Sequence, residues 1–323
     1  MAETREGSIR IAAAQIAPVW LNRDATLARV VDAIDQAGRA EVQLIAFGEC
    51  LVPGYPFWVD RTDGARFDSA LQAELYAHYV DQAVTLERGH LDGVRDAAKR
   101  NQTAVVLGVV ERPDDRGDSV YACVVSIDPG GSIRAAHRKL MPTYEERLVW
   151  ATGDGQGLRT WRLGSFTVGA LNCWENWMPL ARASLQAQGE DLHIAVWPGS
   201  PRNTAELTRH MAYEGRSYAL SVSGLMRAED LPDEVLDNLP SSGLLKSIRS
   251  DMPWAQGGSC LAGPDGEWII EPTTEEGLFI AEIDPSEVRK ARHLFDPSGH
   301  YSRPDVLQLN VNRNRQSLAK FED

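Results

Sequence analysis

The chain has 323 residues, 43% of them hydrophobic and 24% charged, which is enough apolar material for a substantial core, and its formal net charge is −13. An acidic field of that size repels nucleic acid and anionic membrane surfaces, so the expected ligand is neutral or small, with no nucleic-acid or membrane partner. The start MAETREGSIR lacks the basic, then apolar, run of a secretory leader, and no segment reaches the roughly 18 to 20 apolar residues of a membrane span. The four cysteines, Cys50, Cys123, Cys173 and Cys260, contain no Cys-x-x-Cys pair. A cytoplasmic protein with reduced thiols is therefore expected.

In chain order, Ile9–Ile16 predicts a first strand, and Asn22 is placed to cap a helix whose apolar residues Leu27, Val30, Val31 and Ile34 recur at helical spacing. Val42–Phe47 is continuously apolar, as strands covered on both faces are, and delivers Glu49 just past its end. A Pro/Gly-rich loop, LVPGYPFW, follows. Residues 68–100 read mostly as helix and Thr103–Val110 as a buried strand. The turn DPGGS joins VYACVVSI to IRAAHRKL, two strand-like runs, the second ending at Lys139 before the long loop MPTYEERLVWATGDGQG.

Further along, Thr167–Cys173 predicts a strand, Leu180–Gln188 a helix, Leu192–Trp197 a strand and Ala205–Leu220 a helix. SCLAGPDGEWII and GLFIAEID supply the closing strands, and Leu307, Leu309 and Val311 alternate in a strand-like pattern in the tail. With no repeat, linker or low-complexity tract, a single α/β domain is expected over residues 1–323, with a core of about 8–287 and a tail, 288–323, at a subunit interface. The mixed order of βα units and hairpins implies two mixed sheets between helical layers.

Glu49, Lys139 and Cys173 each stand at the C-terminal end of a separate predicted strand. Loops leaving the carboxyl edges of neighbouring strands build the crevice in layered α/β folds, so a carboxylate, an ammonium and a thiol are expected to share one pocket. Singly, each has an ordinary reading: a small buried hydrophobe, a cap or ion-pair partner, a solvated lysine. Jointly, they read as a nucleophile, a base and a stabiliser of developing charge. The seven histidines show no metal-ligand spacing, so no metal site is expected.

Over nearly its whole length the chain resembles the nitrilase (carbon-nitrogen hydrolase) superfamily. The resemblance rests on Phe47-Gly48-Glu49, on His137-Arg138-Lys139-Leu140-Met141-Pro142-Thr143 and on Leu171-Asn172-Cys173. The true nitrilase branch is suggested by Cys173-Trp174-Glu175, by Thr143-Tyr144-Glu145-Glu146-Arg147 and by the segment Gly299–Leu307. It implies a four-layer α-β-β-α sandwich, Cys173 as nucleophile, Glu49 as general base and Lys139 as charge stabiliser. Glu146, and not Glu145, matches the second active-site glutamate. Trp174, Tyr144, Trp58 and His300 are expected to bind substrate, with core packing the alternative for the three aromatic residues, and Asn172 and Glu175 are expected to orient the cysteine turn or to satisfy its backbone.

The activity so implied is hydrolysis of a small neutral nitrile to a carboxylic acid and ammonia through a cysteine-bound thioimidate and thioester, without a cofactor. An amide or carbamoyl hydrolase is the alternative within the same residues, and a non-catalytic assembly protein is a further one. Members of the family form dimers, often extended into spirals or filaments, so a homo-oligomer is also implied.

Overall fold

The computed structural model describes residues 7–319. Residues 1–6, which carry much of the reading of the N-terminus, and 320–323 lie outside the described residues. One six-stranded sheet is built from β1 (Ile9–Gln15), β2 (Leu44–Phe47), β3 (Ala104–Glu111), β4 (Tyr121–Ile127) and β5 (Ile133–Arg138), joined later in the chain by β14 (Gly277–Ile283). The second contains β6 (Trp161–Leu163), β7 (Phe166–Asn172), β8 (Leu192–Trp197) and β9 (Tyr218–Ser223), then β12 (Ser259–Ala262) and β13 (Trp268–Thr273). Between these last groups β10 (Leu225–Met226) and β11 (Ala255–Gln256) form a short separate pair. The helices are α1 (Arg23–Arg39), α2 (Trp58–Arg61), α3 (Ala70–Gln82), α4 (Asp92–Asn101), α5 (Pro179–Gln186), α6 (Pro201–Gly215), α7 (Asp233–Leu236), α8 (Ser242–Ile248) and α9 (Pro285–Arg292).

The period-two alternation of β1 shows how one apolar run serves two cores. Ile9, Ile11 and Ala13 face the second sheet, packing in one cluster with Phe166, Val168, Ile194 and Leu220. Ala12 and Ala14 turn the other way, against Val30, Ile34 and Ala37 of α1 and Ala97 of α4. On the far side α5 packs on β7 through Ala181 and Leu185, and α6 on β8 and β9 through Leu207, Met211 and Ala212. The layers are thus α-β-β-α, as the strand order implied.

Strand direction then assembles the site. β1, β2 and β3 are parallel, and β5 is two antiparallel steps from β3, so β2 and β5 end at one edge of their sheet. β7, β8 and β9 are parallel in the other sheet. The two edges are tied where the Glu49 amide donates to the Trp197 carbonyl at the end of β8, at 3.0 Å. Asn22 caps α1 by accepting from the Ala25 amide at 3.0 Å.

Two expectations are corrected. The helix predicted to Leu220 stops at Gly215: Arg216 takes a left-handed φ of 47°, and Tyr218–Ser223 becomes β9, buried along its whole length between β8 and β12. The tail forms no strand over residues 307–311. Instead Val311 packs with Leu158, Leu171, Ala181 and Leu185, and Arg315 pairs with Asp154 at 3.0 Å, so side-chain contacts within the chain hold this stretch in place of a strand ladder.

The turn after β2 is held by close backbone packing. A Cβ on Gly108 of β3 would lie 2.6 Å from Cys50 N and 2.8 Å from Glu49 Cα, neither of which is a flexible side chain. Gly108→Ala is expected to cost about 1–3 kcal/mol in chemical denaturation, the range for overpacking a filled interior; an unchanged midpoint would show that the Glu49 turn can yield.

Candidate active site

Lys139 follows β5 directly, its amide donating to the Ala122 carbonyl at 2.8 Å, and its side chain is fully buried. Nζ lies 2.9 Å from Glu49 Oε1 and donates to Glu146 Oε2 at 2.7 Å. Burial by itself depresses the basicity of this amine, but the facing Cys173, Glu49 and Glu146 groups outweigh it and hold the lysine well above its ordinary range, as an ammonium.

Glu49 is buried at the end of β2, and among the described residues neither carboxylate oxygen makes a well-directed hydrogen bond. Burial and, secondarily, the Glu146 charge push its carboxyl up to about 7 against the pull of Lys139. Glu146 sits in the 3₁₀ turn Tyr144–Leu148, where it closes a capping box with Thr143 and accepts from the Thr143 amide at 2.6 Å. Its other oxygen accepts from the Tyr55 hydroxyl at 2.8 Å.

Cys173 is the first residue beyond β7 and has φ +46°, a left-handed conformation that is strained for a side chain other than glycine. Its Sγ and the nearest carboxylate oxygens of Glu49 and Glu146 all lie within 4.8 Å of one another. Burial, then Glu49, raises the thiol well above the usual range, with Lys139 opposing, so the resting sulfur is protonated. Two carboxylates and a thiol suit a metal ion by donor type, yet the Lys139 ammonium already stands within bonding distance of both carboxylates.

The strained turn is held from two sides. Glu175, fully buried, accepts from the amides of Asn172 at 3.0 Å and Leu140 at 2.9 Å and from His137 Nε2 at 2.9 Å, which joins the cysteine turn to the lysine turn. Burial opposes the charged form of Glu175, but His137 and these amides hold it below the usual carboxylate range. Asn176 Nδ2 donates to the Cys173 carbonyl at 2.8 Å. That orientation turns Asn176 Oδ1 to accept from His193 Nε2 at 2.7 Å, while His193 Nδ1 faces Glu190 Oε1 at 2.9 Å.

A cavity of about 420 Å³ opens from this cluster, with buried Cys173 and Glu146 at its inner end and Tyr55, Tyr144, Trp174, Pro198 and Asn203 among its walls. Glu49, Lys139, Glu146 and Cys173 are thus brought together, and Trp174 and Tyr144 border the same space. Trp58 does not: it is 1% exposed and packs against Tyr79, ring centroids 4.8 Å apart, and Trp20, because a large apolar ring at the start of α2 is drawn into that cluster. From the same loop it is Tyr55 that reaches the site. His300 is exposed beside Tyr301 in the tail and is not a wall of this cavity.

Sequence reasoning missed Tyr55, His137, His193 and Glu190. Tyr55 and His137 each lay inside a segment already singled out, two or more residues from the one chosen. His193 and Glu190 carry no signal beyond being polar at the edge of an apolar strand.

Residues 10–293 match the carbon-nitrogen hydrolase family, and the chain belongs to it. Within that family it falls in the nitrilase branch. It is 34% identical to Nitrilase 2 from an unknown prokaryotic organism, covering 98% of this chain and 96% of that protein. It is 32% identical to an aliphatic nitrilase of Rhodococcus rhodochrous (98% and 82%) and 33% identical to an arylacetonitrilase of Aspergillus niger (99% and 93%). Among solved structures, the C. elegans NitFhit protein superposes with a TM-score of 0.70 at 17% identity over 98% of this chain and 70% of that one. A double mutant of the amidase from Nesterenkonia sp. AN1 in complex with acrylamide gives 0.65 at 18% identity over 91% and 97%. These structural likenesses bear on the fold.

Glu175→Gln places an amide NH₂ where an N–H donor is now accepted. Chemical denaturation is expected to register a loss of about 1–3 kcal/mol, the scale of one buried donor left unmatched; no loss would mean that these bonds do not join the two turns.

Proposed function

We propose that this protein is a nitrilase that converts an organic nitrile and two waters into a carboxylic acid and ammonia. The observation that carries the reading is the buried thiol within 4.8 Å of two carboxylates that share one ammonium, at the inner end of a cavity. Relatives named nitrilase, at 30–36% identity over nearly the whole chain, support the nitrile over the amide.

Because the thiol rests protonated, attack on the nitrile carbon is coupled to transfer of the sulfur proton to Glu49. The S–C bond forms as one C≡N π bond breaks, and nitrogen takes the sulfur-derived proton from Glu49 to give a thioimidate, which returns Glu49 to its anionic form. Glu49 next deprotonates a water that adds to carbon. Glu49 passes that water's proton to nitrogen, the C–N bond breaks as nitrogen takes the proton of the new hydroxyl and leaves as ammonia, and a thioester remains. A second water, again deprotonated by Glu49, adds to that carbon, the C–S bond breaks, and sulfur regains its proton as the acid departs. Lys139 stabilises negative charge on nitrogen and on the later oxyanions. Glu146, fixed by Thr143 and Tyr55, holds Lys139 in place, and Trp174 and Tyr144 contact the substrate's organic portion.

Glu49 must be anionic to accept the proton, and its carboxyl is pushed up to about 7. As pH rises through that value the base form fills, so kcat/KM is expected to climb about tenfold per pH unit below it and level off above. A flat profile from pH 5 to 9 would remove Glu49 from the role. Incubation with a slow nitrile followed by intact-protein mass spectrometry is expected to give a covalent adduct that Cys173→Ala abolishes, and Lys139→Ala to lower kcat by about 100- to 1000-fold. Turnover of the matching amides without the nitriles would transfer the assignment to the amidase alternative.

A second copy of the chain is proposed to cover the exposed Trp177, Met178, Leu180 and Tyr213. They lie on the α5–α6 face, where Arg182 bridges to Glu214 at 2.9 Å. Leu180→Arg is expected to shift sedimentation toward a smaller species, and an unchanged profile would place any interface elsewhere. A reducing compartment is the proposed location, since the four thiols are free and the chemistry needs one of them so.

A further inference from the structure

The cavity above the thiol does not end at Trp174. A second cavity of about 210 Å³ adjoins it, and Tyr55, Glu145, Pro198 and Asn203 are walls of both. Glu145 therefore stands at the neck between the reacting end and the outer chamber. Unlike its neighbour Glu146, it has no side-chain partner among the described residues. Burial, then the nearby charges of Glu146 and Asp60, raise its pKa, and its own backbone amide and the Lys139 ammonium offset them only in part.

The cation behind the inner end and the one in the outer wall are already paired. Lys139 is shared by Glu49 and Glu146, and Arg61, in the wall of the outer chamber, has Nε 3.4 Å from Asp60. Much of the remaining wall is aromatic: Tyr144 and Trp174 in the inner part, Phe57 and Trp254 in the outer. Aromatic faces attract cations, and a chain of net charge −13 adds an attractive field for them at the mouth.

Building on the nitrilase reading, we propose that Glu145 is a specificity-determining residue that selects nitriles carrying a positively charged group, such as a protonated amine, on the part of the molecule outside the thiol's immediate chamber. Such a substrate meets an unshared carboxylate flanked by π faces. A nitrile carrying a carboxylate meets a wall of its own sign whose one cation, Arg61, already faces Asp60.

The test compares three end groups on two frames, the ammonium and methyl being nearly equal in size and the carboxylate larger: δ-aminovaleronitrile, hexanenitrile and δ-cyanovalerate, and p-(aminomethyl)benzonitrile, p-ethylbenzonitrile and p-cyanophenylacetate. For the wild type, kcat/KM is expected to fall in the order ammonium, methyl, carboxylate. The ammonium-to-methyl ratio should be about five- to fiftyfold on at least one frame, between the worth of an exposed and a half-buried charge pair, and should shrink as salt is added. Glu145→Gln should bring that ratio to near one, whereas Glu145→Asp, which also serves if the Gln variant fails to fold, should keep most of it. Equal or reversed rates in the wild type, or a ratio unmoved in Glu145→Gln, overturn the proposal while leaving the nitrilase reading standing. Failure of the wild type to hydrolyse any of the six overturns both.

Discussion

The arrangement turns on one buried ammonium shared by two carboxylates. Lys139 has lost its water, and only the close approach of Glu49 and Glu146 makes that tolerable. Each carboxylate needs its own support. Glu49 is anchored through its amide on a carbonyl of the opposite sheet, and Glu146 is pinned by the Thr143 amide and the Tyr55 hydroxyl. Remove any of these and a charge is left in a dry interior without its counterpart, which is why the site and the fold cannot be separated.

The two sheets divide the chemistry. The first supplies carboxylate and ammonium from β2 and β5, and the second supplies sulfur from β7, so their separation is set by the apolar layer between them. Within that frame the thiol is deliberately unready. Burial keeps its proton on, and the neighbouring carboxylate is itself raised toward neutrality, which suits it to the base role proposed for it. A left-handed Cys173 costs backbone energy, and the bonds through Glu175 and through the Asn176, His193 and Glu190 chain hold the turn in that shape.

Much of this was legible in the chain. Strands such as Leu44–Phe47 and Ala104–Glu111 stand out because both faces are covered, which demands unbroken apolar runs, and the residues just past their ends could be named with nothing more. β9 was hidden because it follows α6 with only two residues between, and YALS continues a helical pattern until a left-handed Arg216 breaks it. Trp58 was named through the family resemblance, whereas its large apolar ring packs in the core and the hydroxyl-bearing ring of Tyr55 reaches Glu146. The tail alternated like a strand but found side-chain partners in place of a ladder. His193 was invisible for a different reason: its role exists only once Asn176 lies opposite it in space.

The absent side chain at Gly108 has a consequence for how this molecule can diversify. The bend that presents Glu49 is wedged against bare backbone, so that region is closed to change in any descendant that keeps the fold. The lip of the cleft is of another kind: Tyr144 and Trp174 project from short turns into open space, and exchanging them disturbs little beneath. New preferences are therefore reachable by single steps at the entrance, while the reactive interior is inherited intact.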